Sequence, residues 1–196
     1  MCAAQPYDVE IGEGNRLTER VLPAVLEIIE RGDFTGPVMR KVASECRMSL
    51  TALYSIVPSK NRLLLALAVH LQSQALEKVT QSVRPGDTEE DVVRRAAHAS
   101  FAEFTRHPEL AVAALAGDRD ESMGFEVAHE EGLGSSPGMF SPFGRDTTAW
   151  KSGRMQVLTL GWAGTTFTYG KGMLTADEAH RAIDHLVDAA FLLPEN

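Results

Sequence analysis

Residues 38–64 read VMRKVASECRMSLTALYSIVPSKNRLL, and the spacing within this stretch decides the fold. Met39, Val42, Ala43 and Cys46 recur at i, i+3, i+4 and i+7, one face of a helix. Ser49 then stands where a side-chain oxygen caps a second helix, with Met48 and Leu53 at the spacing of a hydrophobic staple. Leu53, Ile56 and Val57 turn inward, which leaves Thr51, Tyr54 and Ser55 together on another face. Pro58 stops this helix and Ser59 caps a longer one. Two short helices around a tight turn, braced by a third, make a helix-turn-helix.

The charge of the stretch matters as much as its pattern. From Arg40 to Arg62 five basic residues (Arg40, Lys41, Arg47, Lys60, Arg62) face one acid, Glu45, a local balance of +4 in a chain of net charge −8. The remainder therefore carries −12. An acidic protein that gathers its cations on one helix pair presents that pair to an anion, and nucleic acid is the leading candidate. Arg47 in the turn and Lys60 at the next helix start are placed for phosphates, and Arg40 for backbone or base.

Working outward, Leu17, Val21, Val25, Ile28 and Ile29 are spaced for one face of a preceding helix that Gly32 ends. Pro23 conflicts with a straight helix there, so a kink or a late start is expected. Residues 1–15 lack periodicity and read as an arm. On the other side a helix runs from Ser59 to about Val83, and Arg84-Pro85-Gly86-Asp87 is a turn. Thr88 and Asp91 open a further helix to about Arg106, which His107-Pro108 breaks. A short helix follows to Ala116. Residues 118–131 then carry six acids against Arg119, and residues 132–144 hold four glycines, two prolines and three serines, the composition of a loop. Helical pattern resumes near Asp146 and runs to Lys171. Thr175 and Glu178 form a capping box for a last helix bearing Ile183, Leu186, Val187, Ala190 and Phe191. The expected architecture is all-α: an arm over 1–15, a helix-turn-helix domain over 16–64, and a helical domain over 65–196.

At 196 residues, 44% hydrophobic and 23% charged, the composition is that of an ordinary globular protein. The first residues have no basic start and no apolar core, so they do not read as a secretory signal. The strongest apolar run, Leu63 to Leu71, is too short to span a bilayer. Two cysteines make no disulfide framework, and Cys46 reads as a small core residue; a cytoplasmic protein is expected. His129-Glu130-Glu131, and His180 with Asp184, resemble fragments of metal sites without a convergent ligand set. No nucleophile, acid–base pair or cofactor motif stands out, so neither an enzyme nor a cofactor is expected.

The chain resembles the tetracycline-repressor (TetR) family of bacterial one-component regulators over its first third. The resemblance rests on Val21-Leu22 to Gly32, Met39-Arg40-Lys41-Val42-Ala43, Met48-Ser49, Leu53-Tyr54, Pro58-Ser59-Lys60 and Leu63-Leu64. It implies a homodimer that binds a palindromic double-stranded DNA operator and leaves it when a small molecule enters the C-terminal domain. Carried over by position, it makes Arg40, Arg47, Ser49, Leu50, Thr51, Tyr54, Ser55 and Lys60 the DNA-facing set, with Tyr54 and Lys60 against the phosphate backbone. Arg47 and Thr51 stand where the family has glycines, and Val57 where it has an aromatic. A side chain at 47 has to tolerate the turn, in a left-handed conformation that costs about 1 kcal/mol or more. Leu50, Thr51, Ala52 and Ser55 make a recognition helix poor in long polar readers, which shifts specificity toward thymine methyls and DNA shape.

In the C-terminal part, Phe101, Phe104, Met123, Trp150, Met155, Trp162 and Phe167 are candidates to line the cavity of a small, largely apolar effector. Packing in the core is the competing account of the same aromatics. Leu158, Gly161, Ile183, Leu186, Val187 and Ala190 are the candidate dimer surface, paired as a four-helix bundle, with packing inside one chain as the alternative. Two other functions remain open at this point. One is a ligand-binding protein on the same scaffold without specific DNA recognition; the other is a small helical enzyme using the glycine-rich loop as a lid.

Overall fold

The computed structural model describes residues 16–108, 110 and 153–193. All regular structure among them is helical. The elements are a π-helical turn, Leu17–Val21, running into α1, Leu22–Glu30; then α2, Val38–Glu45; α3, Leu50–Ile56; α4, Lys60–Gln81; α5, Glu89–Arg106; α6, Gly153–Gly170; and α7, Ala176–Phe191. The chain divides into two units, Met1–Leu67 and Ala68–Asn196, so that α4 belongs to both.

In the first unit the conflict posed by Pro23 is resolved by a late start. The regular α-helix begins at Leu22 and places the proline in its first turn, where its missing N–H costs nothing. The wider π turn carries the chain in, and Val21, Leu22, Val25 and Ile28 are buried. Gly32 (φ +69°) then closes α1. Its N–H donates to the Ile29 carbonyl at 2.8 Å, while that of Asp33 donates to Ile28 at 3.0 Å. That pair of bonds is a Schellman motif. α1 packs on α2, and α2 on α3. Val38, Met39, Val42, Ala43, Cys46, Leu53, Val57, Leu63 and Leu64 bury the apolar faces expected of them, and Ile56 is half-buried.

In the second unit α7 packs on both α6 and α5, and α5 on α6. Both expected capping boxes form. The Asp91 N–H donates to Thr88 Oγ1 at 3.2 Å and the Thr88 N–H to the Asp91 carboxylate at 3.0 Å. At α7 the Glu178 N–H meets Thr175 Oγ1 at 3.3 Å and the Thr175 N–H meets Glu178 Oε2 at 2.8 Å. Those bonds hold both carboxyls below the usual carboxylate range. His107, ahead of Pro108, leaves the helical region (φ −132°, ψ 72°) and ends α5. Val93, Leu158, Val187 and Ala190 form one buried cluster, with Met155, Leu186 and Phe191 packed on it. No helix among the described residues is long and apolar enough to cross a membrane.

Candidate nucleic-acid interface

The turn between α2 and α3 is built on Arg47. Its φ is +49°, the one positive value at a non-glycine among the described residues. The Arg47 N–H donates to the Ser44 carbonyl at 3.0 Å and the Met48 N–H to Ala43 at 2.9 Å. This is the same Schellman closure that Gly32 makes after α1, with an arginine in the glycine position. The backbone thus accepts left-handed strain while an exposed guanidinium is held at the mouth of the turn. Arg20 braces the turn from the π-helical segment, its Nη2 donating to the Cys46 carbonyl at 2.6 Å. The Cys46 thiol returns a bond to the Arg20 carbonyl at 3.5 Å. Burial pushes that thiol up, against the pull of Arg20.

α3 is anchored by one fully buried side chain, Leu53, and capped by Ser49, whose Oγ accepts from the Ala52 N–H at 3.1 Å. Thr51, Ala52, Tyr54 and Ser55 are all exposed, Tyr54 by 46%. Leu50 is half-buried. The Ser55 hydroxyl bonds back to the Ala52 carbonyl at 2.9 Å. At the start of α4, Ser59 Oγ accepts from the Arg62 N–H at 3.2 Å. Lys60 is exposed, and its Nζ lies 4.8 Å from the Phe34 ring centroid, a cation–π contact that sets the amine's direction. The first turns of α3 and α4 contain no acid of their own to offset their positive dipole ends.

The sequence counted five cations here; the structure separates them. Arg40, Arg47 and Lys60 are exposed and make no ion pair among the described residues. Lys41 instead binds the Asp33 carbonyl at 2.9 Å and its carboxylate, and Arg62 is buried. The single acid, Glu45, is neutralised by Arg31 at 2.6 Å. Three exposed cations, one on α2, one in the turn before α3 and one at the start of α4, therefore lack a competing carboxylate among the described residues, which suits a polyanion. Sequence reasoning missed Arg20 and Phe34. Both act over contacts that no helical period encodes, and a cation near a helix C-terminus is only a weak hint of the first.

The effector and dimer candidates lie in the second unit. Phe101, Phe104 and Trp162 are fully buried. Phe104 meets Trp162 edge-on at 5.7 Å, Phe101 meets Tyr169 at 5.2 Å, and Trp162 Nε1 donates to the Ala97 carbonyl at 3.0 Å. Met155 is half-buried on the cluster around Leu158, and Phe167 is 40% exposed under the Lys171 amine. Met123 and Trp150 fall outside the described residues. Among the dimer candidates, Leu158, Ile183, Val187 and Ala190 complete their burial inside one chain. Gly161 faces Leu186 of the same chain so closely that a Cβ there would sit within contact of its methyl groups. The apolar groups that remain open on α6 are Val157 (42%), Leu160 (61%) and Phe167, with Gly164 between them in open space. At spacings of three, four and three residues, they form one stripe.

Three buried polar side chains of this unit have no hydrogen-bond partner among the described residues: Gln72 at both amide atoms, Ser100 at Oγ and Thr166 at Oγ1. Other helical hydroxyls bond back to the preceding turn, as Thr165 does to Gly161 and Thr168 to Gly164. Ser100 lies between Ala97 and Phe104, which both touch Trp162, and Thr166 lies one turn beyond Trp162. These two hydroxyls thus flank the aromatic core.

The chain is thus an all-helical protein whose first unit carries a helix-turn-helix with a cationic, hydroxyl-bearing outer face. No family model and no curated protein matches it. Among solved structures it is similar to a TetR-like transcriptional regulator from Rhodococcus sp. RHA1, with 14% identity and a TM-score of 0.48 over 90% of this chain and 96% of that chain.

Proposed function

We propose that this protein is a DNA-binding transcriptional regulator, a repressor that leaves a palindromic operator when a small effector enters its helical unit. The observation that carries the reading is the outer face of α3: Thr51, Tyr54 and Ser55 exposed together, with the exposed cations Arg40, Arg47 and Lys60 on the elements that flank it in the chain. Such a face lets short side chains meet base edges while cations hold phosphates. The unpartnered Gln72, Ser100 and Thr166 support an effector with an apolar body and a few hydrogen-bonding groups, because each leaves a buried polar atom unsatisfied until a partner arrives. The open stripe Val157, Leu160, Gly164 and Phe167 supports a homodimer formed through α6. α4, which belongs to both units, is the route by which the effector acts on the head.

Selection from random duplex DNA tests this, followed by binding across a salt series. The expected result is an enriched palindrome whose affinity falls steeply with salt. One observation favours a second reading, ligand binding without sequence-specific DNA recognition. On α3 the Ser55 hydroxyl is committed to Ala52 and that of Ser49 to the cap, which leaves few groups for reading bases. Salt-sensitive binding with no enriched sequence is the outcome that selects it.

A further inference from the structure

Between α5 and α7 lies a cluster that the regulatory reading does not use. His98 Nδ1 and His180 Nδ1 are 2.8 Å apart, and His98 Nε2 is 2.8 Å from Asp184 Oδ1. Two imidazole nitrogens at that distance need one N–H and one lone pair between them. The carboxylate accepts, so His98 carries its proton on Nε2. The Nδ1 pair is then bridged by one proton, which sits on His180 while both rings are neutral and can be held by either ring after the first proton is added. A second Nδ1 proton sets N–H against N–H and one imidazolium against another.

We propose that His98 and His180 form a one-proton latch that holds α5 to α7 while a single proton lies between the Nδ1 atoms, and that opens when both carry one. The surroundings set its bias. On α5, Arg94 bridges the seam to Asp184 at 3.1 Å and also binds Glu90 and Asp188. On α7 itself, Asp184 and Asp177 draw protons toward His180. α6 contributes Tyr169, whose ring meets Phe101, and Phe101 in turn stands edge-on to His180 at 5.0 Å. Burial, and then the positive charge of His98, hold His180 below its ordinary value. Opening adds a second cation beside Arg94 and strips the apolar edge of Phe101 from its partner, so it loosens the packing of α5 on α7. The latch responds to acidification rather than to an effector molecule, and it stands whether or not the chain binds DNA.

The test is nitrogen-15 NMR of the imidazoles in the full chain from pH 8 to pH 5, paired with amide hydrogen exchange in α5 and α7 corrected for intrinsic rates. The expected result is a coupled titration whose last proton binds below the ordinary imidazole value. α5 and α7 amides should lose protection over that step, because the second proton removes the bond between the Nδ1 atoms. His180→Gln, whose amide both donates and accepts, should remove the pH dependence of protection. Two independent titrations near 6.5 with unchanged protection would overturn the latch. Should His180→Gln fail to fold, the wild-type titration decides alone.

Discussion

Replacing Arg47 with glycine separates the two jobs that this residue performs. Its backbone sits at φ +49° in the closing position of a Schellman motif. A left-handed conformation costs a residue with a Cβ about 1–2 kcal/mol. Glycine removes that cost but gives the unfolded chain more freedom, worth about 0.4–1 kcal/mol. The net expectation for Arg47→Gly is a head more stable by about 0.5–1 kcal/mol, so protection of α2 and α3 amides rises about two- to fivefold in hydrogen exchange. Arg47→Ala keeps the strain and should gain nothing. Both variants lose the exposed guanidinium, so both should bind duplex DNA more weakly, with the slope of log affinity against log salt reduced by about 0.9. Protection that stays level or falls in Arg47→Gly refutes the strain argument. An unchanged salt slope in both variants refutes the phosphate contact.

Lys60→Ala should weaken binding to all DNA sequences alike, whereas Thr51→Val should change the preferred sequence; competition binding with selected and random duplexes distinguishes the two. Leu160→Arg, at a position 61% exposed in the single chain, should leave folding intact and shift sedimentation from dimer to monomer; an unchanged dimer removes α6 from the interface. Thr175→Ala breaks the capping box of α7 and should cost about 1 kcal/mol in urea unfolding. Acid should destabilise the chain in two windows. His180, held below its ordinary value, contributes stability that is full above about 6.5 and is lost as pH falls toward its folded value. Asp87, Asp91, Glu178 and Asp184, also lowered, contribute above about pH 4 and lose it below. A single unfolding midpoint that stays flat from pH 8 to 5 contradicts the first window.

Local chemistry was the legible part of this chain. Ser49, Ser59, Thr88 and Thr175 all cap where their spacing to the following helix places them, because a cap is settled within four residues. The π turn before Leu22 was not foreseen, though its cause, Pro23, was. Partners distant in sequence stayed hidden. The periodicity of Leu158, Ile183, Val187 and Ala190 marks them as buried without saying against what, and the structure buries them within one chain. Charge counting included Lys41 and Arg62 in the positive balance of the segment, yet Asp33 engages the first and burial removes the second from the surface. His98 and His180 stand 82 positions apart; the sequence singled out His180 with Asp184, but nothing in it pointed to His98. Met123, Trp150, the arm over 1–15 and the segment 118–144 lie outside the described residues.

Cys46 has a consequence of another kind. Its sulfur is sealed under the α2–α3 turn, 5% of the residue exposed, and is kept protonated by burial. A thiol in that state is inert to alkylating reagents until the head opens. Peptide-resolved labelling of Cys46 over time therefore clocks the breathing of the helix-turn-helix itself. The head comes with its own chemical stopwatch, readable with no engineered residue and in the presence of DNA.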